Sequence, residues 1–376
     1  MNEIALYVHI PFCIKKCLYC DFFSYRFDIS LVHRYTEALI EEIKNIKVRN
    51  TYLVKTVYIG GGTPSILPGE DMEVLFGAIY KSFKIINNPE ITIEVNPGTV
   101  NERKLKLYRE LGINRISIGV QSLQPEELKL LGRIHTPEEA IKSIELAEKV
   151  GFDNINIDLI YSIPNQTVNS WKATLKQALN MSIKHISIYG LMYEPGTPLY
   201  KALTKGKVTP LSEDVELEIF NISQRILAEN GLLWYEISNY SIEGFECKHN
   251  LTYWEGDDYL GIGVSSHSFI ENERYSNTPN IGSYINLVKN RQSPRVWVQK
   301  LSLLDKAKEL VILGLRLRKG INLVEVYEKT GVDIKKLYGK SIDKLIQEEL
   351  ITFDGDTLFL TERGRLLGNL VFEEFI

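Results

Sequence analysis

Short runs of β-branched and other apolar residues alternate with amphipathic stretches up to about residue 230 of the chain. The runs are Ile4–Ile10, Thr56–Ile59, Ile91–Val95, Arg115–Val120, Asn154–Ile160 and His185–Leu191, and their composition is that of strands. Between them, apolar residues recur at helical spacing. Leu31–Ile46 carries Tyr35, Leu39, Ile43 and Ile46 on one face, and similar patterns cover Met72–Phe83, Arg103–Leu111, Pro137–Val150, Ser170–Met181 and Val215–Asn230. Strand and helix in repeated alternation predict a parallel sheet with right-handed crossovers. Six such units are fewer than the eight that close a barrel.

Beyond the sixth strand the pattern changes. Gly190–Thr209 is turn-rich, with Pro195-Gly196-Thr197-Pro198, and reads as a loop across the barrel mouth. Tyr235–Tyr240 reads as one strand of an accessory region. From Leu303 onward, helical patterns at Ala307–Leu317, Leu323–Thr330 and Ser341–Glu349 precede Ile351–Phe353 and Leu358–Leu360, which flank the hairpin turn Asp354-Gly355-Asp356. Helices followed by a hairpin resemble a winged helix. The predicted division is 1–232, a partial barrel; 233–300, an accessory region; and 301–376, a small C-terminal α/β domain.

Polar residues gather where the strands end. Gly60-Gly61-Gly62-Thr63-Pro64 follows the second strand, Glu94 and Asn96 close the third, Gln121 the fourth, Asp158 the fifth and Tyr189 the sixth. In a parallel β/α barrel that edge carries the active site. The glycines permit close backbone approach, but no Gly-Lys-Ser/Thr follows, so this is not a phosphate loop. Cys13, Cys17 and Cys20 leave the first strand at the same edge, and the only other cysteine is Cys247. Three clustered thiols suit an iron–sulfur centre with one iron left open. A closed zinc site needs a fourth ligand, for which His9, Cys247 and His249 are the candidates.

Charge and composition narrow the classes. The chain has 376 residues, 44% hydrophobic and 24% charged, with a formal charge of −4, ordinary for a soluble globular protein and unfavourable for nucleic acid. Residues 306–376 balance 12 Lys and Arg against 12 Asp and Glu, which argues against DNA binding by the C-terminal unit. No apolar stretch is long enough to span a bilayer and no signal peptide is evident. Clustered, unpaired cysteines suit a reducing cytoplasm.

Cys-x-x-x-Cys-x-x-Cys with Tyr19 before the last cysteine resembles the signature of the radical S-adenosylmethionine (SAM) family. The opening Tyr7-Val8-His9-Ile10-Pro11-Phe12-Cys13 is similar to the branch of that family containing the oxygen-independent coproporphyrinogen III oxidase HemN and the haem chaperones HemW. The resemblance implies an open (β/α)6 partial TIM barrel. It also implies a [4Fe–4S] cluster on Cys13, Cys17 and Cys20, and SAM held near Tyr7, Tyr19, Gly61, Gly62, Thr63, Glu94, Gln121, Arg133 and Asp158.

Two departures point away from the oxidases. Those enzymes carry a further cysteine two positions beyond the third, where this chain has Phe22, and an extension before the cluster, where this chain has twelve residues ahead of Cys13. The segment Cys247-Lys248-His249-Asn250-Leu251-Thr252-Tyr253-Trp254 contains His-Asn-x-x-Tyr-Trp, the HemW pattern. It makes His249 and Cys247 candidate haem-iron ligands, with Asn250, Tyr253 and Trp254 beside them, while the resemblance sets His267 nearer the SAM side. The implied partners are haem as cargo and haem-accepting respiratory proteins, with a homodimer left open and at most peripheral membrane contact. Coproporphyrinogen III oxidation, radical chemistry on another tetrapyrrole and a zinc-stabilised, non-catalytic protein stand as alternatives.

Overall fold

The structure, a computed structural model, describes residues 2–46 and 51–376. Its centre is β1 (Asn2–Ile10), followed by a two-residue ribbon, β2 (Phe12–Cys13) with β3 (Tyr25–Arg26), that brackets the cysteine loop. Helix α1 (Ile29–Asn45) then starts at Asp28, whose carboxylate accepts from the Leu31 N–H. Five strands continue from β1 in chain order, each parallel to the last: β4 (Tyr52–Gly61), β5 (Lys84–Val95), β6 (Arg115–Gln121), β7 (Asn154–Tyr161) and β8 (His185–Gly190). They are joined by α2 (Gly69–Ser82), α3 (Glu102–Glu110), α4 (Pro125–Leu131), α5 (Pro137–Lys149) and α6 (Val168–Leu179). The expected six parallel strands are present, and β1 and β8 are not neighbours, so the sheet stays open.

Side chains on these strands alternate with the pleat. Val57, Ile59, Ile91, Ile93, Ile116, Ile118, Ile155, Ile157 and Ile186 are buried in the main apolar core with Leu39, Leu75, Leu105, Ile144 and Leu175 of the helices. The intervening positions are Thr56, Tyr58, Glu90, Thr92, Glu94, Arg115, Ser117, Asn156, Asp158, His185 and Ser187. The concave interior of the sheet is therefore polar, unlike the layered apolar filling of a closed barrel.

After β8 the segment read as a loop holds helix α7 (Pro198–Thr204), capped by Thr197 and anchored by Leu199. Leu199 packs with Leu131, Ile160 and Leu18, and this local cluster outweighs the turn chemistry of Pro195-Gly196. Helix α8 (Glu213–Glu229) leads to a hairpin, β9 (Leu233–Glu236) and β10 (Asn239–Ser241), where one strand was expected. Then come α9 (Lys248–Trp254), β11 (Tyr259–Ile262), β12 (His267–Ile270), β13 (Glu273–Asn277), α10 (Ile281–Lys289) and β14 (Arg295–Lys300). β10 pairs antiparallel with β8, while β11 pairs parallel with β1 and starts a meander through β14, giving one 12-stranded mixed sheet.

The rest builds a separate core. α11 (Leu303–Gly314), β15 (Ile321–Asn322), α12 (Leu323–Thr330), α13 (Ile334–Gln347), β16 (Ile351–Asp354) and β17 (Thr357–Leu360) enclose Leu310, Val326, Leu345 and Leu358, with a three-stranded sheet ordered β15-β17-β16. The hairpin turn is Gly355-Asp356 alone, because Asp354 pairs with Thr357. Among the described residues, no helix is long and apolar enough to cross a membrane.

Candidate cofactor site

A cavity of about 540 Å³ opens at the carboxyl ends of the parallel strands. Cys13, Cys17 and Cys20 line it, together with Tyr19, Gly61, Gly62, Thr63, Glu94, Gln121, Arg133 and Asp158. Tyr7 stands behind this layer, bonded through its hydroxyl to His9 Nδ1 at 2.9 Å and stacked on Tyr58 at 6.2 Å.

The cysteine loop is pinned at both flanks. The Leu18 N–H donates to Leu131 O (3.0 Å) at the end of α4, where Gly132 adopts φ +73° and a Cβ would strike Leu18. On the other side the Gly62 N–H donates to Ile10 O (2.8 Å), and a Cβ there would lie 2.7 Å from Phe12 O. Glycine at 62 is thus required by close approach. Thr63 Oγ1 donates to Cys13 Sγ (3.6 Å), and Asn96 Nδ2 donates to Thr63 Oγ1 (2.8 Å). Arg133 joins the network from the turn after α4: its guanidinium donates to Cys17 Sγ (3.5 Å), Asn96 Oδ1 (2.8 Å) and Gly119 O (2.7 Å).

The thiols fit a multi-iron centre better than one ion. All three are unpaired, and burial pushes Cys13 and Cys20 up, so they are not free surface thiolates. Among the described residues, the one trio of His, Cys, Asp or Glu ligand atoms lying within 4.8 Å of one another is His33, Glu70 and Asp71. The three sulfurs are therefore spread wider than ligands gathered on a single zinc with bonds of about 2.3 Å. A cationic group at Cys17 and hydroxyl at Cys13 suit sulfurs that carry negative charge.

The floor of the cavity holds two buried carboxyl groups. Tyr58 O–H donates to Glu94 Oε1 and the Gly61 N–H to Glu94 Oε2, both at 2.9 Å. Asn156 Nδ2 donates to Asp158 Oδ1 at 2.9 Å. Burial first, then the neighbouring Asp158 charge, push the Glu94 carboxyl up to about 7 against its hydrogen bonds and the Arg115 charge. Burial also raises Asp158. Gln121 sits at φ +66°, a left-handed conformation uncommon for a residue with a side chain. Tyr58, Ser117 and Asn156 belong to this layer and escaped the sequence reading, although each occupies the same alternate positions as Glu94 and Asp158.

The His249 segment is elsewhere. Helix α9 sits against the middle of β4 and β5, where Glu90 accepts from the N–H groups of Lys248 and His249, both at 3.0 Å. His249 is buried, with Nδ1 bonded to Thr56 Oγ1 (2.8 Å), Nε2 to the Tyr253 hydroxyl (2.9 Å), and its ring stacked on Tyr58 at 4.9 Å. Burial lowers it to about 3. Cys247 is fully buried beside Glu90, and burial pushes its thiol up to about 12. Trp254 lies under the Arg316 guanidinium at 4.4 Å, tying α9 to the C-terminal unit. Asn250 is half-buried on the same helix. In this structure both imidazole nitrogens of His249 are hydrogen-bonded and the Cys247 thiol is buried in the interior. Nor does His267, exposed on β12, line the cavity.

Residues 7–178 match the radical SAM superfamily model and residues 301–367 the HemN C-terminal domain model. The chain is 36% identical to the haem chaperone HemW of Lactococcus lactis, over 99% of this chain and 97% of that protein. It is 34% identical to the HemW of Bacillus subtilis, over 99% of each. It is also 34% identical to that of Escherichia coli, over 100% of this chain and 99% of the relative. The solved structure of the coproporphyrinogen III oxidase HemN from Escherichia coli superposes with a TM-score of 0.86 at 24% identity, covering 100% of this chain and 90% of HemN, and so shares the fold.

Proposed function

Because the chain belongs to the HemW family of radical SAM proteins, we propose that it is a haem chaperone that carries a [4Fe–4S] cluster, binds SAM, and hands haem to haem proteins in the cytoplasm. The observation that carries the reading is end-to-end similarity to proteins named HemW, at 31–36% identity. Phe22, where the oxidases carry a further cysteine, favours it over coproporphyrinogen oxidation.

Cys13, Cys17 and Cys20 would hold the cluster, which when bound would supply the electron for reductive cleavage of SAM. The residues around it do the positioning. The Gly61–Thr63 backbone and Glu94 receive the ammonium end of SAM. Asp158 and Gln121 receive hydroxyl groups, and Arg133 steadies Cys17 and pairs with a carboxylate. The polar floor binds charged groups that an apolar pocket would exclude. Anaerobic reconstitution followed by parallel assays tests the whole reading. Uptake of one haem per chain without conversion of coproporphyrinogen III to protoporphyrinogen IX is expected, and steady turnover would replace the chaperone with the oxidase.

Glu94 gives this site a pH dependence. Its carboxyl is raised to about 7, so its contribution to stability is full below the ordinary carboxylate value and is lost as pH rises through about 7. A cationic ligand has the opposite preference, because it pairs with the ionised form. SAM affinity should rise about tenfold between roughly pH 6 and 8, following the ionised fraction. Glu94→Gln should flatten that profile. Calorimetry in buffers of different ionisation enthalpy counts the proton released, and equal slopes for both proteins would show that Glu94 does not face the ligand.

A further inference from the structure

Four large apolar side chains stand in water around the mouth of the cavity: Met192 is 68% exposed, Phe22 65%, Ile134 56% and Ile14 53%. Burying a side chain of this kind is worth about 1.5–3 kcal/mol, and gathered at a concave opening such groups mark a binding surface. They arise from three separate segments. Ile14 and Phe22 come from the cysteine loop, Ile134 from the turn after α4 and Met192 from the turn after β8. No single exposed helix face accounts for them.

Charge is arranged around the same rim. The loop from Cys13 to Ser24 carries Lys15 and Lys16 against one acid, Asp21, all three exposed. Lys16 Nζ donates to the Phe22 carbonyl at 2.8 Å, which ties an ammonium to the backbone of that residue. The mouth thus combines apolar bodies and two cations, while the floor holds the carboxyl groups of Glu94 and Asp158. A flat apolar macrocycle with carboxylate tails matches the rim. A small cationic ligand matches the floor.

We propose that cargo haem docks at this mouth, its porphyrin against Phe22, Met192, Ile134 and Ile14 and its propionates toward Lys15 and Lys16, and not at the closed His249 segment. This placement rests on the chaperone reading. It sets cargo directly over the SAM cavity, so the two ligands share one opening.

The test is anaerobic haem titration of the reconstituted full-length protein, followed by the Soret band. Phe22→Asp and Met192→Asp should each weaken haem binding at least tenfold. The pair Lys15→Glu and Lys16→Glu should weaken it several-fold, and wild-type affinity should fall with added salt as surface ion pairs are screened. Iron and sulfide content reports whether each variant keeps its cluster. Met192 is distant in sequence from the cysteines, so Met192→Asp decides if Phe22→Asp loses iron. A wild-type chain that binds one haem while these variants bind equally well overturns the placement and leaves the chaperone reading standing. A wild-type chain that takes up no haem overturns both.

Discussion

Serine in place of Cys13, Cys17 or Cys20 is expected to reduce reconstituted iron from about four atoms per chain to a small fraction of that, with matching loss of sulfide. The effect is large because nothing nearby can substitute. Thr63 and Arg133 contact two of the sulfurs, but a hydroxyl and a guanidinium are poor replacements for a thiolate ligand. Cys247 is fully buried beside Glu90 and does not line the cavity, so Cys247→Ser should keep its iron. Iron and sulfide assays on all four variants check this. Stoichiometric zinc without sulfide in the wild-type chain would overturn the cluster. Retention of full iron by any of the three loop variants would remove that cysteine from the ligand set.

The six parallel strands were legible because their apolar runs are short, β-branched and regularly spaced with helical patterns. Those same runs contain a second message. Parallel strands buried on both faces read as continuous apolar sequence, whereas Glu90-Ile91-Thr92-Ile93-Glu94 and Arg115-Ile116-Ser117-Ile118 alternate strictly. One face must then line a polar interior. Followed inward from Glu94 and Asp158, that period reaches Tyr58 and Ser117, which line the cavity, and Asn156, which bonds Asp158.

Other features depend on contacts distant in sequence. Arg133 reads equally well as an exposed helix-end residue. Only the left-handed Gly132, fitted against Leu18, turns it toward Cys17. Helix α7 is seven residues long and draws its stability from the cluster around Leu131, Ile160 and Leu199, which no local period reports. His249 is the sharpest case. A histidine in a recognisable motif invites a ligand role, and its burial and two hydrogen bonds, to Thr56 and Tyr253, were not legible because both partners are ordinary residues in sequence.

Alanine at Glu90 is expected to destabilise the protein by about 3–5 kcal/mol, the cost of leaving a buried charge without its partner. Glu90 is 6% exposed and serves four groups at once. Its carboxylate accepts from the first two N–H groups of α9, receives the Cys247 thiol at 3.6 Å, and supplies negative charge beside buried Arg115. Removing it leaves two helix N–H groups unpaired and Arg115 short of counter-charge. Glu90→Gln keeps an acceptor but not the charge, so its loss should be smaller than that of alanine. Chemical denaturation monitored by circular dichroism measures both. The damage should reach the cofactor site through one stack of rings: α9 holds His249 against Tyr58, and Tyr58 bonds Glu94. SAM binding should therefore weaken in Glu90→Ala even where the fold survives at low temperature. A haem-ligand role for His249 makes a different forecast, loss of haem with SAM affinity intact. Wild-type stability and SAM affinity in Glu90→Ala would show that α9 is not a structural plug.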